Sequence, residues 1–373
     1  MANIIHFGKY YLPNVGGIES VTVSLAEGAV AAGHSVSVIC FEKNPKNRIR
    51  IVNGVQVIAT SILKVIKSQP FGIGYFLECF EASKTADIVH LHLPNMLGAL
   101  CGLFVSRKSR LLVHWHSDVV NKGFIGKILR PLELAILWRA DKVVTTSQIY
   151  ADASNALVHY SKKIIVVPIG APDLKKDESD LLMPELVNIK AEGYRIILAV
   201  GRLVTYKGFD VLIKSAKYLL PKSVIVIVGD GVLRGELRRI IHNENCSDRV
   251  ILKGRLSVME LSSLFKVADI YCLPSTSRAE AFGVVLLEAM AHGLPIIATN
   301  IPGSGVSWVN QHDVSGLNVP VGDSMALATA CNELLSSEEL RCKLAKGARQ
   351  RYLAEFTEQK SLQKMLDVYE NLF

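Results

Sequence analysis

The sequence predicts two α/β domains in tandem, each a parallel sheet covered by helices, on three observations. Short runs rich in Val and Ile alternate with segments of helical spacing. The strand-like runs are apolar on both faces. The alternation stops once, in a polar stretch near the middle, and then restarts. A run apolar on both sides describes a strand covered above and below, which is the condition of a parallel sheet between helix layers. With 373 residues the chain is long enough for two domains of ordinary size.

In the first half, "NIIHFG" (3–8) is an apolar run opening into a glycine-containing loop. "ESVTVSLAEGAVAAG" (19–33) has helical spacing and a glycine stop, and "HSVSVICF" (34–41) is the next strand. "ADIVHLHL" (86–93), "RLLVHWHS" (110–117), "ADKVVTTS" (140–147) and "KKIIVVPIG" (162–170) continue the series, and "MLGALCGLFV" (96–105) reads as a buried helix too short to span a bilayer. "APDLKKDESDLLMPELVNIKAEG" (171–193) is polar, charged and carries two prolines, so it reads as an interdomain linker. The second series begins at "YRIILAVGRL" (194–203). "FDVLIKSAKYL" is a helix, "SVIVIVGDG" a strand, "VLRGELRRIIHNE" a helix, "RVILKG" a strand, "VMELSSLFKVA" a helix and "DIYCLPS" a strand. A helix with a carboxylate at each end, the strand "LPIIAT" and the segment "GLNVP" follow, and the tail from 323 is helical. The expected division is therefore 1–170, a linker 171–193 and 194–355, with the last helix, about 356–373, packing back on the first domain. Two such Rossmann-like domains facing each other make the cleft between them the default ligand site, because open parallel sheets bind ligands at the carboxyl ends of their strands.

Composition narrows the function classes. No charged region followed by an apolar core opens the chain, so no secretory signal is read, and the glycines and prolines after Ala289 break its longest charge-free run before it could span a bilayer. Seven scattered cysteines without a C-x-x-C pattern fit reduced core thiols in a cytoplasmic protein. The net charge of +8 lies wholly in residues 1–170, which carry 18 Lys and Arg against 10 Asp and Glu, while the remainder is balanced at 24 of each. A basic half of this kind is either a solvated face or the side turned to an anionic partner, a phosphate-bearing substrate or a membrane surface rather than nucleic acid. "NKGFIGKILRPLELAILW" (121–138) is the candidate membrane face. It mixes Phe124, Ile125, Ile128 and Leu132 with Lys122, Lys127 and Arg130.

Four places carry candidate chemistry. In "YYLPNVGGIES", Gly16 and Gly17 precede a helix and let backbone N–H groups approach a phosphate or a sugar hydroxyl. In "GRLVTYKGFD", Arg202 and Lys207 flank a strand-to-helix loop where a diphosphate would be held. The sequence has no D-x-D pair for a divalent ion, so these two cations would do the metal's electrostatic work on a leaving group and no metal or other cofactor is expected. In "RAEAFGVVLLEAMAHGLPIIAT", Glu280 and Glu288 lie at the ends of an apolar helix. Eight helical residues rise about 12 Å, whereas the carboxylates of a glycosidase acid–base couple stand roughly 5 to 9.5 Å apart. The two glutamates instead suit the two ends of a long ligand, Glu280 facing a sugar and Glu288 accepting from ribose hydroxyls. The backbone of Phe282, Gly283 and Val284 would hold the phosphates between them. The pairs His90/His92 and His114/His116 each lie on one strand face. No further ligand at telling spacing joins them, so they are expected to line the cleft without a metal.

Together these segments resemble retaining glycosyltransferase family 4, the glycosyl transferases group 1, with the GT-B fold. "EAFGVVLLEAMAHGLPIIAT" is similar to its E-x7-E region and "LAVGRLVTYKGFDVLIKSA" to its donor-phosphate loop. "NVGGIESVTVSLAEGAVAAGHSVSVIC" resembles its amino-terminal glycine loop, and "HWHSD" its acceptor-side histidine segment. The resemblance implies that Arg202 and Lys207 bind the donor diphosphate, Glu280 contacts the donor sugar and Glu288 the ribose. It implies that Gly16 and Gly17 allow close approach at the donor side, that His116 sits beside the reacting sugar and that Asp118 stands on the acceptor side. In the family an acidic residue often follows the histidine directly; here Ser117 intervenes. The region around Gly254 and Arg255 is the expected contact for the base. The implied reaction moves a hexose, with mannose from GDP-mannose as first choice, to a hydroxyl of a glycan or polyprenyl-diphosphate-linked glycan in O-antigen or capsule synthesis. It would run in the cytoplasm or peripherally on the inner membrane face. A sugar-nucleotide epimerase, a nicotinamide-dependent dehydrogenase and a non-catalytic subunit are the alternatives. The missing G-x-G-x-x-G argues against the dehydrogenase. Alanine at Glu280 or Lys207 is expected to abolish transfer and leave the fold intact.

Overall fold

The computed structural model describes residues 1–13, 16–45, 48–66, 69–118, 123–173 and 184–373. They form two compact units, residues 1–170 with 358–373, and residues 171–357.

The first unit is an eight-stranded sheet built from β1 (Asn3–Phe7), β2 (Ser35–Glu42), β3 (Ile49–Val52), β4 (Val55–Ser61), β7 (Ile88–Leu93), β8 (Arg110–Trp115), β9 (Lys142–Thr145) and β10 (Ile164–Val166). A separate hairpin pairs β5 (Lys64–Ile66) with β6 (Gln69–Phe71). The strand order is β10-β9-β8-β7-β1-β2-β4-β3, parallel except for the antiparallel edge β3. Helices α1 (Gly17–Ala31), α2 (Ile73–Ser83), α3 (Met96–Leu103), α4 (Gly123–Arg139) and the short α5 (Gln148–Asp152) connect the strands. The runs read as doubly apolar strands are the buried centre of this sheet: every residue of β7 is buried, as are Leu111 to Trp115 of β8. Strands β3 to β6 escaped sequence reading; β3 and β5 lie largely in solvent and lack that signature, while the mostly buried β4 and the three-residue β6 carry it only in part.

The second unit is a six-stranded, all-parallel sheet. Its strands are β11 (Arg195–Val200), β12 (Ser223–Val228), β13 (Val250–Gly254), β14 (Ile270–Leu273), β15 (Ile296–Thr299) and β16 (Gly316–Val319). Their order is β13-β12-β11-β14-β15-β16. Around it lie α6 (Pro184–Ala191), α7 (Phe209–Ser215), α8 (Arg234–Asn243), α9 (Val258–Val267), α10 (Val284–His292), α11 (Val306–Val309), α12 (Ser324–Ser336) and α13 (Glu338–Arg351). The core joins Ile197, Ile225, Ile227, Ile270 and Ile297 of the strands to Leu212, Leu237 and Leu327 of the helices, each at most 2 % exposed.

The stretch 171–193, read as a linker, is in part ordered into this second unit. Tyr352 donates its hydroxyl to the Ala171 carbonyl at 2.8 Å, and Arg349 grips both carboxylate oxygens of Asp173 at 2.8 Å. Residues 174–183 lie outside the described residues, and α6 follows them. The last helix, α14 (Glu358–Glu370), belongs to the first unit. It lies close against α1, where a Cβ on Gly28 would come within 2.4 Å of the Leu362 side chain, and Ser361 donates to the Pro168 carbonyl at 2.8 Å.

Each sheet has one place where the strand order reverses direction, between β1 and β7 in the first unit and between β11 and β14 in the second. In open parallel sheets the loops leaving such a pair diverge and leave a crevice at the carboxyl ends.

Candidate active site

In the second unit the two loops that leave the β11/β14 reversal are 201–208 and 274–283, and they bring Lys207 and Glu280 together. Lys207 Nζ donates to Glu280 Oε2 at 2.6 Å, and Ser275 Oγ donates to the same oxygen at 2.9 Å. Both charged side chains are about one-tenth exposed. Lys207 closes a 3-10 turn that ends on Gly208, whose φ of +66° is left-handed and whose Cβ position lies 2.0 Å from the Pro274 carbonyl oxygen. Only glycine fits there, so the Lys207 loop sits directly on the loop that carries Glu280.

Glu280 is not on the helix. α10 begins at Val284, with Gly283 at its cap in the left-handed region (φ +78°), so the glutamate read as the helix's first end stands in the preceding loop. The rise of one helix therefore does not set the separation of the two carboxylates. Glu288 sits in the second turn of α10. Burial pushes its carboxyl up to about 7, against the pull of Lys207 in the opposite direction. Burial also raises the Tyr271 hydroxyl well above its ordinary range, and the nearby Glu288 and Glu280 charges push it the same way. Lys207, Glu280, Glu288 and Tyr271 thus form one electrostatic cluster. Phe282 is buried against the Trp308 and Phe356 rings, while Arg202 is exposed and reaches Tyr206 Oη at 3.2 Å. Near the expected base contact, Gly254 (φ +85°) is buried against the Arg234 guanidinium, and Arg255 points to solvent. The pair adds a stability cost to the expected effect of alanine. Each residue is the other's buried counter-charge, so removing one strands a charge in the interior and costs stability as well as activity.

In the first unit Gly16 caps α1 in an extended conformation and Gly17 is its first residue. A Cβ on Gly17 would meet no atom within 4 Å, so the fold itself has no steric need for glycine there and the space beside it is open. Asn14 and Val15 of the same loop lie outside the described residues. Asp118 is engaged by its own unit. Its Oδ1 accepts from Trp115 Nε1 at 2.9 Å and Ser154 Oγ at 2.7 Å, and its N–H donates to Tyr150 Oη at 2.6 Å.

The histidines do not line an open surface. His90, His92 and His114 are at most 2 % exposed and His116 is 5 % exposed, so the expectation of cleft-lining imidazoles gives way to a buried cluster. Strand register explains it: His90 stands beside His6 of β1, and His92 beside His114 of β8. Alternation puts them on one sheet face, and His116, one residue past β8, continues the row. His6 is the member that sequence reading missed, because a lone histidine in "NIIHF" carries no signal until β1 is known to neighbour β7. Hydrogen bonds run from His6 Nδ1 to His92 Nε2 (2.9 Å) and from His92 Nδ1 to His116 Nε2 (3.0 Å). A second set joins Tyr369 Oη to His90 Nδ1 (2.7 Å) and His90 Nε2 to His114 Nδ1 (3.3 Å). Burial lowers all five imidazoles, His6 and His116 to about 3. The ligand atoms of His6, His90 and His92, and of His92, His114 and His116, lie within 4.8 Å of one another.

Of the candidate membrane face, Lys122 and the side chains of residues 123–128 lie outside the described residues. Leu132 is half-buried and Arg130 exposed. Among the described residues no helix is long and apolar enough to cross a membrane.

Comparisons with known proteins place the chain in a family. Residues 15–172 match the model of Glycosyltransferase Family 4 and residues 187–351 that of Glycosyl transferases group 1. The chain is 31 % identical to O-antigen chain mannosyltransferase C of Escherichia coli, over 99 % of this chain and 97 % of that one. It is 29 % identical to D-rhamnosyltransferase WbpZ of Pseudomonas aeruginosa, over 95 % and 92 %. Among solved structures, the sucrose-phosphate synthase of Thermosynechococcus elongatus superposes with a TM-score of 0.81 at 23 % identity, covering 100 % of this chain and 99 % of that one. Anabaena HepE in complex with UDP and glucose also reaches 0.81, at 18 % identity and full coverage of both chains. Two family models in tandem and a full-length relative above 30 % identity leave one assignment: the chain is a GT-B glycosyltransferase of the glycosyl transferases group 1, family 4.

Proposed function

We propose that the protein is a retaining mannosyltransferase that moves mannose from GDP-mannose to a hydroxyl of a growing surface polysaccharide. The observation that carries the catalytic part is the buried Lys207–Glu280 pair with Glu288 beside it, at the strand-order reversal where this fold class binds ligands. Lys207, with Arg202, takes the donor diphosphate. Glu280 meets the sugar, Glu288 the ribose, and the backbone of Phe282 to Val284 the phosphate oxygens. His116 orients the sugar, and Gly16 and Gly17 leave room for close approach. The acceptor oxygen bonds to the anomeric carbon on the face from which the diphosphate departs. The acceptor proton passes to a donor phosphate oxygen, and GDP leaves. No metal is required by this set, because the cations supply the charge.

Mannose and an O-antigen acceptor are supported by the similarity to the E. coli enzyme. The P. aeruginosa relative favours D-rhamnose as a second donor sugar. D-Rhamnose is mannose without its C6 hydroxyl, so one pocket suits both. Family membership displaces the epimerase and dehydrogenase readings. A lipid-linked acceptor and contact with an anionic membrane on the cytoplasmic side remain part of the proposal, resting on the basic charge excess of residues 1–170.

The test is a thermal-shift panel with GDP, UDP, ADP, dTDP and NAD without added metal, followed by donor turnover. A ligand at 100 times its Kd adds about 2.7 kcal/mol. Stabilisation by GDP, and an α-linked mannose product from GDP-mannose, are expected. Stabilisation by UDP alone, or an inverted product, would refute the donor or the stereochemistry respectively.

A further inference from the structure

The histidine cluster has an internal logic that the transfer reaction does not by itself require. A neutral imidazole carries one N–H, so in a chain of imidazoles each ring that accepts at one nitrogen donates from the other. In the His6–His92–His116 chain the contacts alternate Nδ1 to Nε2 at every step. All three rings must therefore share one tautomer: all protonated on Nδ1, or all on Nε2. The same rule binds His90 and His114, whose chain ends on the Tyr369 hydroxyl of α14. Among the described residues three ring nitrogens of the cluster are buried without a partner: His116 Nδ1 and His6 Nε2, the two ends of the longer chain, and His114 Nε2, the end of the shorter one.

We propose that His92 is a positioning residue for glycosyl transfer: it holds the ring of His116 through His116 Nε2 and sets its tautomer, so that Nδ1 is the ring atom His116 has to offer a substrate. This rests on the placement of His116 beside the donor sugar. The chain makes the hydrogen-bonding character of Nδ1 a property of three rings at once. If the rings are protonated on Nδ1, His116 offers a donor and His6 Nε2 a lone pair; in the other state the roles reverse. His6 is fully buried, so the chain sets a tautomer and does not conduct protons to solvent.

The geometry favours protons over a metal ion between these rings. Within the His92–His114–His116 group the rings are near-parallel, with His114 and His116 at 4.0 Å and 14°, His92 and His116 at 5.3 Å and 11° and His92 and His114 at 25°, while His6 is tilted by 38° to His90. Imidazole lone pairs lie in the ring plane, so near-parallel rings do not aim three of them at a common point. The bonded nitrogens of the His6–His92–His116 chain stand 2.9 and 3.0 Å apart, closer than the roughly 3.3 Å between two nitrogens at tetrahedral zinc, each about 2.0–2.1 Å from the ion; the His90–His114 pair, at 3.3 Å, does not discriminate.

The test begins on the wild-type protein, with long-range nitrogen–proton correlation spectra of histidine-labelled full-length chain, the signals assigned by single substitutions. His6, His92 and His116 should show one shared tautomer. Different tautomers within the trio, or rapid averaging at His116 alone, would overturn the proposal, as would a stoichiometric transition metal in protein purified without chelator or added metal. His92→Leu should free the His116 tautomer and lower kcat by about tenfold or more with the donor KM little changed, the pattern of losing the group that orients a functional histidine. His92→Gln, which keeps an acceptor and a donor, should recover part of that loss. Wild-type kcat in folded His92→Leu would refute the positioning role. Should His116→Gln itself leave kcat unchanged, the placement of His116 at the sugar fails, while the tautomer spectra still decide whether the chain exists.

Discussion

Replacing Glu280 by glutamine leaves the shape of the site and removes one charge. Lys207 then remains about one-tenth exposed with no counter-charge on its nearest partner. At 2.6 Å the gross attraction in an effective dielectric of 20 is about 6 kcal/mol. Most of it offsets the desolvation of the two ions, and losing one partner of such a buried pair costs about 3–5 kcal/mol. Glutamine still accepts from Ser275, which holds at 2.9 Å, so the lower end, about 3 kcal/mol, is expected. For a unit of this size that is roughly a 6–12 °C fall in Tm, read by calorimetry or by circular dichroism. Lys207→Met should cost a similar amount. The double variant Lys207→Met/Glu280→Gln, with neither charge, should return to within about 1 kcal/mol of wild type yet transfer no sugar. If each single variant moves Tm by less than about 2 °C, or if the double variant loses the sum of both, the pair is not the buried couple described and the argument fails.

Two further predictions concern pH. Glu288 has its folded carboxyl raised from 4.5 to about 7, so the unfolded chain releases this proton first and stability falls as pH rises from about 4.5 through 7. Glu288→Gln should be more stable than wild type at pH 8, by up to roughly 3 kcal/mol before allowance for its partial exposure. The gap should close near pH 4.5, measured as denaturation midpoints at both pH values; a pH-independent difference would refute the burial argument. The five buried histidines act with the opposite sign. Their folded values lie below the ordinary 6.5, at about 3 for His6 and His116, so their stabilisation is complete above 6.5 and is lost as pH falls toward 3. At pH 5 the burial of neutral His6 and His116 costs about 2 kcal/mol each, and burial of His90, His92 and His114 acts in the same direction. Hydrogen exchange should therefore show β7 and β8 losing protection between pH 6 and 4 while β11 and β14 stay protected; simultaneous loss would refute it.

The sequence by itself determined the repeating α/β pattern and singled out the residues proposed here to meet the donor. Doubly apolar runs have one economical use, as the middle strands of a covered parallel sheet, and β7, β8, β11 and β12 are such strands. Lys207, Glu280 and Glu288 were visible because charges inside apolar or glycine-rich loops need a reason. What the sequence did not contain was adjacency. Strand order is set by how helices of given length pack across a sheet, and spacing along the chain does not encode it. Only the tertiary structure shows that β14 lies beside β11, so that residues 73 positions apart form an ion pair. Only it shows that β1 lies beside β7, so that a lone histidine at position 6 completes two H-x-H pairs. It also moved Glu280 off the helix: Gly283, in the left-handed region and tightly packed against the Leu273 and Leu286 side chains, caps α10 after Glu280. Periodicity reports which face of a segment is buried, while the partner it is buried against is decided by the fold as a whole.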